Sequence, residues 1–109
     1  MQKIFRNDVK ERKEFDRAGY HYTQILGDDE KHIYLYKMEP LDWKSPHKHY
    51  ELVVGKKYKN PDGNYVYVYP CDEDFGTFGW YICGTPENTR KKIADKWLSF
   101  TNYPPVFDA

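Results

Sequence analysis

A chain of 109 residues has room for one core, and 17 basic against 17 acidic side chains leave it no net charge to bring to a polyanion. Apolar residues make up only 39%, yet 18% are aromatic (11 Tyr, 6 Phe, 3 Trp), and rings of that size can close a core, which argues against disorder. Two cysteines, Cys71 and Cys83, are too few for a disulfide framework and too far apart for a CxxC motif. Both read as reduced thiols, Cys83 as a buried one. No apolar run has the length of a signal peptide or a membrane span, so a cytoplasmic protein is expected.

Asp8 followed by Glu11 fits a helix N-cap box, and Gly19 fits a helix stop. Val9, Arg12, Phe15 and Ala18 form a thin stripe between them, predicting a short amphipathic helix over residues 8–18. Tyr20 to Leu26 reads as a strand, Gly27-Asp28-Asp29-Glu30 as a polar turn, and Lys31 to Met38 as a second strand. A loop from Glu39 to Pro46 carries Trp43, and His47 to Val54 is a third strand. Lys56 to Asn64 reads as a turn with Asn60-Pro61-Asp62-Gly63 at its tip. Tyr65 to Tyr69 is a fourth strand ended by Pro70, and Trp80 to Cys83 is a short fifth run. Thr85 as N-cap with Pro86 at the first helical position opens a final helix, with Ile93, Ala94, Trp97, Leu98 and Phe100 as its stripe. The predicted fold is a single α+β domain over residues 1–109. An antiparallel sheet of four to five strands is flanked by an N-terminal and a C-terminal helix, with 101–109 as an extended tail.

Alternate side chains of a strand share a face. In His32-Ile33-Tyr34-Leu35-Tyr36 and Tyr65-Val66-Tyr67-Val68-Tyr69 the rings fall opposite the aliphatics. The simplest packing sets Ile33, Leu35 and the valines against Ile93, Trp97 and Phe15, and leaves Tyr34, Tyr36, Tyr65, Tyr67 and Tyr69 on the far side. Three uses of that face stay open: cross-strand pairing on a half-solvated sheet, a protein-recognition surface, or a platform for stacking bases beside Lys31, Lys37, Lys56, Lys57 and Lys59.

Chemistry is sparser. His47 and His49, two apart on a strand, would share a face and could begin a metal site completed by Asp72, Glu73 or Asp74; hydrogen-bonded or surface histidines explain the same pattern. Acidic neighbours would raise the pKa of the Cys71 thiol, which is wrong for a nucleophile. Neither Ser45 nor Ser99 sits in a nucleophile elbow, and no glycine loop has phosphate-cradling spacing. No cofactor, metal or catalytic residue is assigned.

The run Tyr69-Pro70-Cys71-Asp72-Glu73-Asp74-Phe75-Gly76-Thr77-Phe78-Gly79-Trp80 resembles a segment of short uncharacterised accessory proteins of bacterial phages and mobile elements. Tyr50 to Val54 and Ile33-Tyr34 look like the same group's strands, so the resemblance spans about residues 20–98. It departs at Cys71 and Asp72, where small hydroxyl residues are commoner, and at Phe75, commonly tryptophan. The group has no assigned activity. The resemblance implies a phage or mobile-element accessory protein, and such proteins often bind a host macromolecule. With no catalytic motif in the chain, a non-enzymatic binder of a host protein or ribonucleoprotein in the bacterial cytoplasm is expected, an anti-CRISPR-like inhibitor of a defence nuclease among the forms this takes. The tyrosine face and the acidic triplet Asp72, Glu73 and Asp74 are its expected contact residues. A single-stranded nucleic-acid binder is the alternative, and a metal-dependent enzyme the third.

Overall fold

The computed structural model describes residues 14–70 and 72–107. Its strands are β1 (Glu14–Arg17), β2 (Tyr20–Asp28), β3 (Ile33–Pro40), β4 (Lys48–Val54), β5 (Lys56–Lys59), β6 (Tyr65–Val68) and β7 (Gly79–Gly84); a 3-10 turn, Asp72–Asp74, precedes β7, and α1 (Pro86–Phe100) follows it. Five strands form one antiparallel sheet in the order β1-β2-β3-β4-β7, and β5 and β6 form a separate ribbon. The fold is thus α+β with a C-terminal helix, as expected, and no helix precedes the sheet among the described residues.

Residues 8–13 of the expected first helix lie outside the described range, and residues 14–17 are β1 instead. Ala18 and Gly19 both have positive φ, 52° and 84°, which makes them a two-residue hairpin turn between β1 and β2. The glycine that reads as a helix stop is a strand reversal. Alternation then turns Phe15 onto the sheet, where it stacks on Tyr22 at 4.6 Å and 10°. A second correction concerns residues 56–59: they are strand β5, and only 60–64 turn, so the long turn expected over 56–64 is a ribbon with β6.

The sheet has two covered faces. On one, Ile33, Leu35, Tyr50, Leu52 and Ile82 pack against Ile93 and Trp97 of α1. The helix forms where expected: Thr85 caps it, accepting from the Asn88 amide at 3.3 Å, and Ile93 and Trp97 are one turn apart on its buried side. Leu98 and Phe100, expected in the same stripe, are exposed, and Phe15 lies on the opposite face of the sheet. On that other face Tyr22, Tyr34, Tyr36, Met38 and Val53 form a second cluster with Phe15, Tyr20, Tyr69 and Phe75. Gln24 pairs with Tyr36 and Leu26 with Leu35, so a bulge at Ile25 switches β2 from the tyrosine face to the helix face.

Phe75 to Trp80 makes a tight turn anchored to the sheet. Gly76 takes φ 99°, the Thr77 and Phe78 amides donate to the Asp74 carbonyl, and the Phe75 ring lies where a side chain on Gly79 would stand. Among the described residues no helix is long and apolar enough to cross a membrane.

Candidate functional site

The tyrosine face has a closed centre and an open end. At the centre, β4 alternation turns Glu51 away from Tyr50 and Leu52 and into the second cluster, where it is 3% exposed. A carboxylate there needs partners. Arg17 donates through Nη2 to both Glu51 oxygens at 3.0 Å, Tyr22 donates to Oε2 at 3.1 Å, and Tyr69 donates to Oε1. The guanidinium also lies 5.2 Å and 5.1 Å from the Tyr22 and Tyr69 ring centres. Burial first, and the Glu51 charge with it, hold the Tyr69 phenol far above its usual range; burial likewise raises that of Tyr22. Both stay neutral donors. The carboxylate is buried, Arg17 and Tyr69 are partly so, and the hydrogen bonds turn inward, an arrangement suited to fixing strands.

The same cover corrects the reading of the tyrosines as an open surface. Tyr34 and Tyr36 are wholly buried, because the excursion between β4 and β7 folds over this face and delivers Tyr69 and Phe75 to it. Tyr34 donates to Asp29 at 2.7 Å. Tyr67 is half-buried and stacked on His32 at 3.5 Å and 9°. Tyr65, 57% exposed, is the broadly open member of the predicted set. Of the acidic triplet, Glu73 is exposed, Asp72 opens the 3-10 turn, and Asp74 is buried in an ion pair with Lys56 at 2.8 Å. The triplet is therefore no uniform acidic rim. Cys83, expected buried, is half-buried.

His47 and His49 are not two members of one strand either. His47 sits exposed in the loop before β4, and His49 is buried within it. No group of three or more His, Cys, Asp or Glu able to hold a metal occurs among the described residues.

His49 instead organises the open end. Its Nε2 lies 2.5 Å from Ser45 Oγ and its Nδ1 meets the Tyr81 hydroxyl, while Ser45 Oγ also accepts the His47 amide at 3.1 Å. Burial, and secondarily nearby His47, lower its proton affinity below the ordinary histidine range. A neutral imidazole carries one N–H, so one ring nitrogen donates and the other accepts. Around it stand Tyr20, Trp43 edge-on at 6.0 Å and 86°, and Tyr81 at 5.8 Å. Trp43 and Tyr81 are 52% and 50% exposed. Beside them a cleft of about 410 Å³ is lined by Lys37, Lys44 and Lys48, with Glu39 as its carboxylate.

A serine this close to a histidine is also how a nucleophile is held. Two features oppose that use. Ser45 is tied to the His47 amide in a local turn, and the second nitrogen of His49 meets a phenol, so no carboxylate steadies an imidazolium. The contacts do fasten the loop carrying Trp43 to β4 and β7, leaving two aromatic rings in fixed positions beside a cationic cleft.

Sequence reasoning passed over Ser45, Trp43, Tyr81, Arg17 and Glu51 as functional positions. For Glu51 a signal existed: one carboxylate inside the otherwise apolar strand run Tyr50-Glu51-Leu52-Val53-Val54 must face either water or a partner. At the open end only His49 had been singled out, as half of a metal pair, and its neighbours gave no local signal because they come from a loop and from β2, β3 and β7. No family model matches the chain, and neither a curated protein nor a solved structure matches it.

Proposed function

We propose that the protein is a non-enzymatic binding protein whose partner is a host protein with an acidic, apolar-edged surface, engaged at the Trp43–Tyr81 end of the sheet. The observation that carries this reading is the pair of half-exposed rings fixed from beneath by buried, doubly hydrogen-bonded His49. Aromatic anchors held in one geometry lose little entropy on binding and dominate interface energies. Lys37, Lys44 and Lys48 around them would steer an acidic partner and set its orientation. The resemblance to phage and mobile-element accessory proteins makes a bacterial defence nuclease the partner class to try first, with the protein as its anti-CRISPR-like inhibitor.

The test is capture from a bacterial host lysate with wild-type and Trp43→Ala baits side by side. A protein retained by the first and lost by the second, more weakly held as salt rises, supports the reading. Equal retention by both baits, or release of the partner by nuclease treatment, defeats it.

A second reading has its own observation. On the β5–β6 ribbon the Lys57 and Lys59 ammonium groups lie 4.2 Å and 6.0 Å from the ring centre of exposed Tyr65, a combination that suits a single nucleic-acid strand. Oligonucleotide binding that falls steeply with salt and is lost in Tyr65→Ala, with Trp43→Ala unaffected, would move the function to the ribbon.

A further inference from the structure

Among the described residues the order β1-β2-β3-β4-β7 leaves two sheet edges, and they are unlike. β1 is four residues long and carries Glu14, Asp16 and Arg17, the usual protection of an edge. β7, Gly79-Trp80-Tyr81-Ile82-Cys83-Gly84, has neither a charge nor a proline. Its backbone phase can be read from the ladder. The Val54 amide donates to the Phe78 carbonyl at 2.8 Å, and antiparallel residues alternate between hydrogen-bonded and non-hydrogen-bonded pairs. Continuing in register, Leu52 with Trp80 and Tyr50 with Ile82 are bonded pairs, whereas Glu51 with Tyr81 and His49 with Cys83 are not. Gly79 has the parity of Tyr81 and Cys83, and its carbonyl accepts from Gly76 at 2.7 Å, outside the β4 ladder, which agrees with this phase. The N–H and C=O groups of Tyr81 and Cys83 therefore point away from the sheet, with no backbone partner among the described residues.

We infer that β7 pairs antiparallel with β7 of a second copy about a two-fold axis at Ile82, setting Tyr81 opposite Cys83 and joining the two sheets into one. Two observations select a second copy as the occupant. The free groups are self-complementary: two donors and two acceptors on each strand, spaced two residues apart, are all satisfied by their own symmetry mates in this single register. The flank is self-complementary too. Between β7 and α1 runs a groove of about 370 Å³ lined by Trp80, Ile82, Lys92, Asp95 and Lys96. The axis sets α1 antiparallel to its mate on the same side of the joined sheet, and brings Lys92 of each copy toward Asp95 of the other. Pairing does not depend on the partner proposed for the Trp43 surface.

Proline in place of Cys83 gives a clean test, because it removes an N–H that points away from β4 and leaves the ladder within the subunit intact. Sedimentation equilibrium under reducing conditions is expected to show a wild-type dimer and a Cys83→Ala dimer. The Cys83→Pro variant is expected to be a monomer with unchanged far-ultraviolet circular dichroism. A wild-type protein monomeric up to millimolar concentration, or a Cys83→Pro variant that still dimerises, overturns the inference. Should the proline variant not fold, amide hydrogen exchange on the wild type decides. Protection of the Tyr81 and Cys83 amides that grows with protein concentration sustains the pairing, and rapid exchange at every concentration refutes it.

Discussion

The two faces of the sheet use buried tyrosine in opposite ways. On the helix face Tyr50 lies among Ile82, Ile93 and Trp97, its hydroxyl without a hydrogen-bond partner among the described residues. On the other face Tyr22 and Tyr69 donate to Glu51 and Tyr34 donates to Asp29. The first face uses the ring as a hydrophobe, and its stability comes from area and fit. The second ties strands distant in sequence through directed bonds, so its members should fail together. That difference explains why a protein with a modest apolar fraction can still cover both sides of a five-stranded sheet.

Deleting the largest ring of the helix face should do most harm. Trp97→Ala is expected to cost about 3–5 kcal/mol, read by urea denaturation; a loss under about 1 kcal/mol would mean that α1 is not what covers this face. Next comes the network. Glu51→Ala leaves Tyr22, Tyr69 and Arg17 without their acceptor and should cost about 3 kcal/mol, which a domain of this size shows as a melting temperature lowered by roughly 10–20 °C. Adding Arg17→Met to Glu51→Ala should cost clearly less than Arg17→Met does in the wild type. Strict additivity of the two losses would show that the residues do not act as a unit.

Removing single hydroxyls sharpens the contrast. Tyr69→Phe should cost about 1–2 kcal/mol, whereas Tyr50→Phe should be neutral or stabilising by up to about 1 kcal/mol, since only an unsatisfied group is lost. Equal effects would erase the distinction between the faces.

The smallest effect is in pH. The folded-state pKa of His49 is held below its ordinary 6.5, so between the two values the unfolded chain binds a proton that the folded one does not. Stability contributed by His49 is complete above about pH 6.5 and declines as pH falls toward the lowered value. His21 opposes this in the same range: its ring N–H groups donate to Asp16 first and then Glu14, which raises its pKa, so its contribution is present at low pH and fades as pH rises. The decline should therefore be clearest in a His21→Gln background and absent once His49 is also replaced by Gln. A decline that survives the second substitution would assign it elsewhere.

Much of the architecture was legible because its causes are local. Ile33 and Leu35 alternate with tyrosines and do meet α1; Thr85-Pro86 starts a helix whose Ile93 and Trp97 are buried together; Asn60-Pro61-Asp62-Gly63 turns the chain. The reading of residues 8–18 as helix failed over 14–18 because a glycine in the left-handed region ends a helix and closes a hairpin equally well, and the stacking of Phe15 on Tyr22 decided between them. The candidate site was harder, being assembled from a loop and from residues of β2, β3, β4 and β7.

Taken alone, the chain determined which side chains share a face within a regular stretch such as Ile33 to Tyr36 or Ile93 to Trp97, since strand alternation and helical spacing are properties of neighbouring residues. Whether a face is open to solvent depends on where a distant segment comes to rest. The excursion from residue 55 to residue 79 crosses the tyrosine side because Tyr69 and Phe75 bury their rings there and Tyr69 bonds Glu51, while Trp43 and Tyr81 remain uncovered at the far end. Only the tertiary structure could decide that, because burial is settled by contacts between residues far apart along the chain.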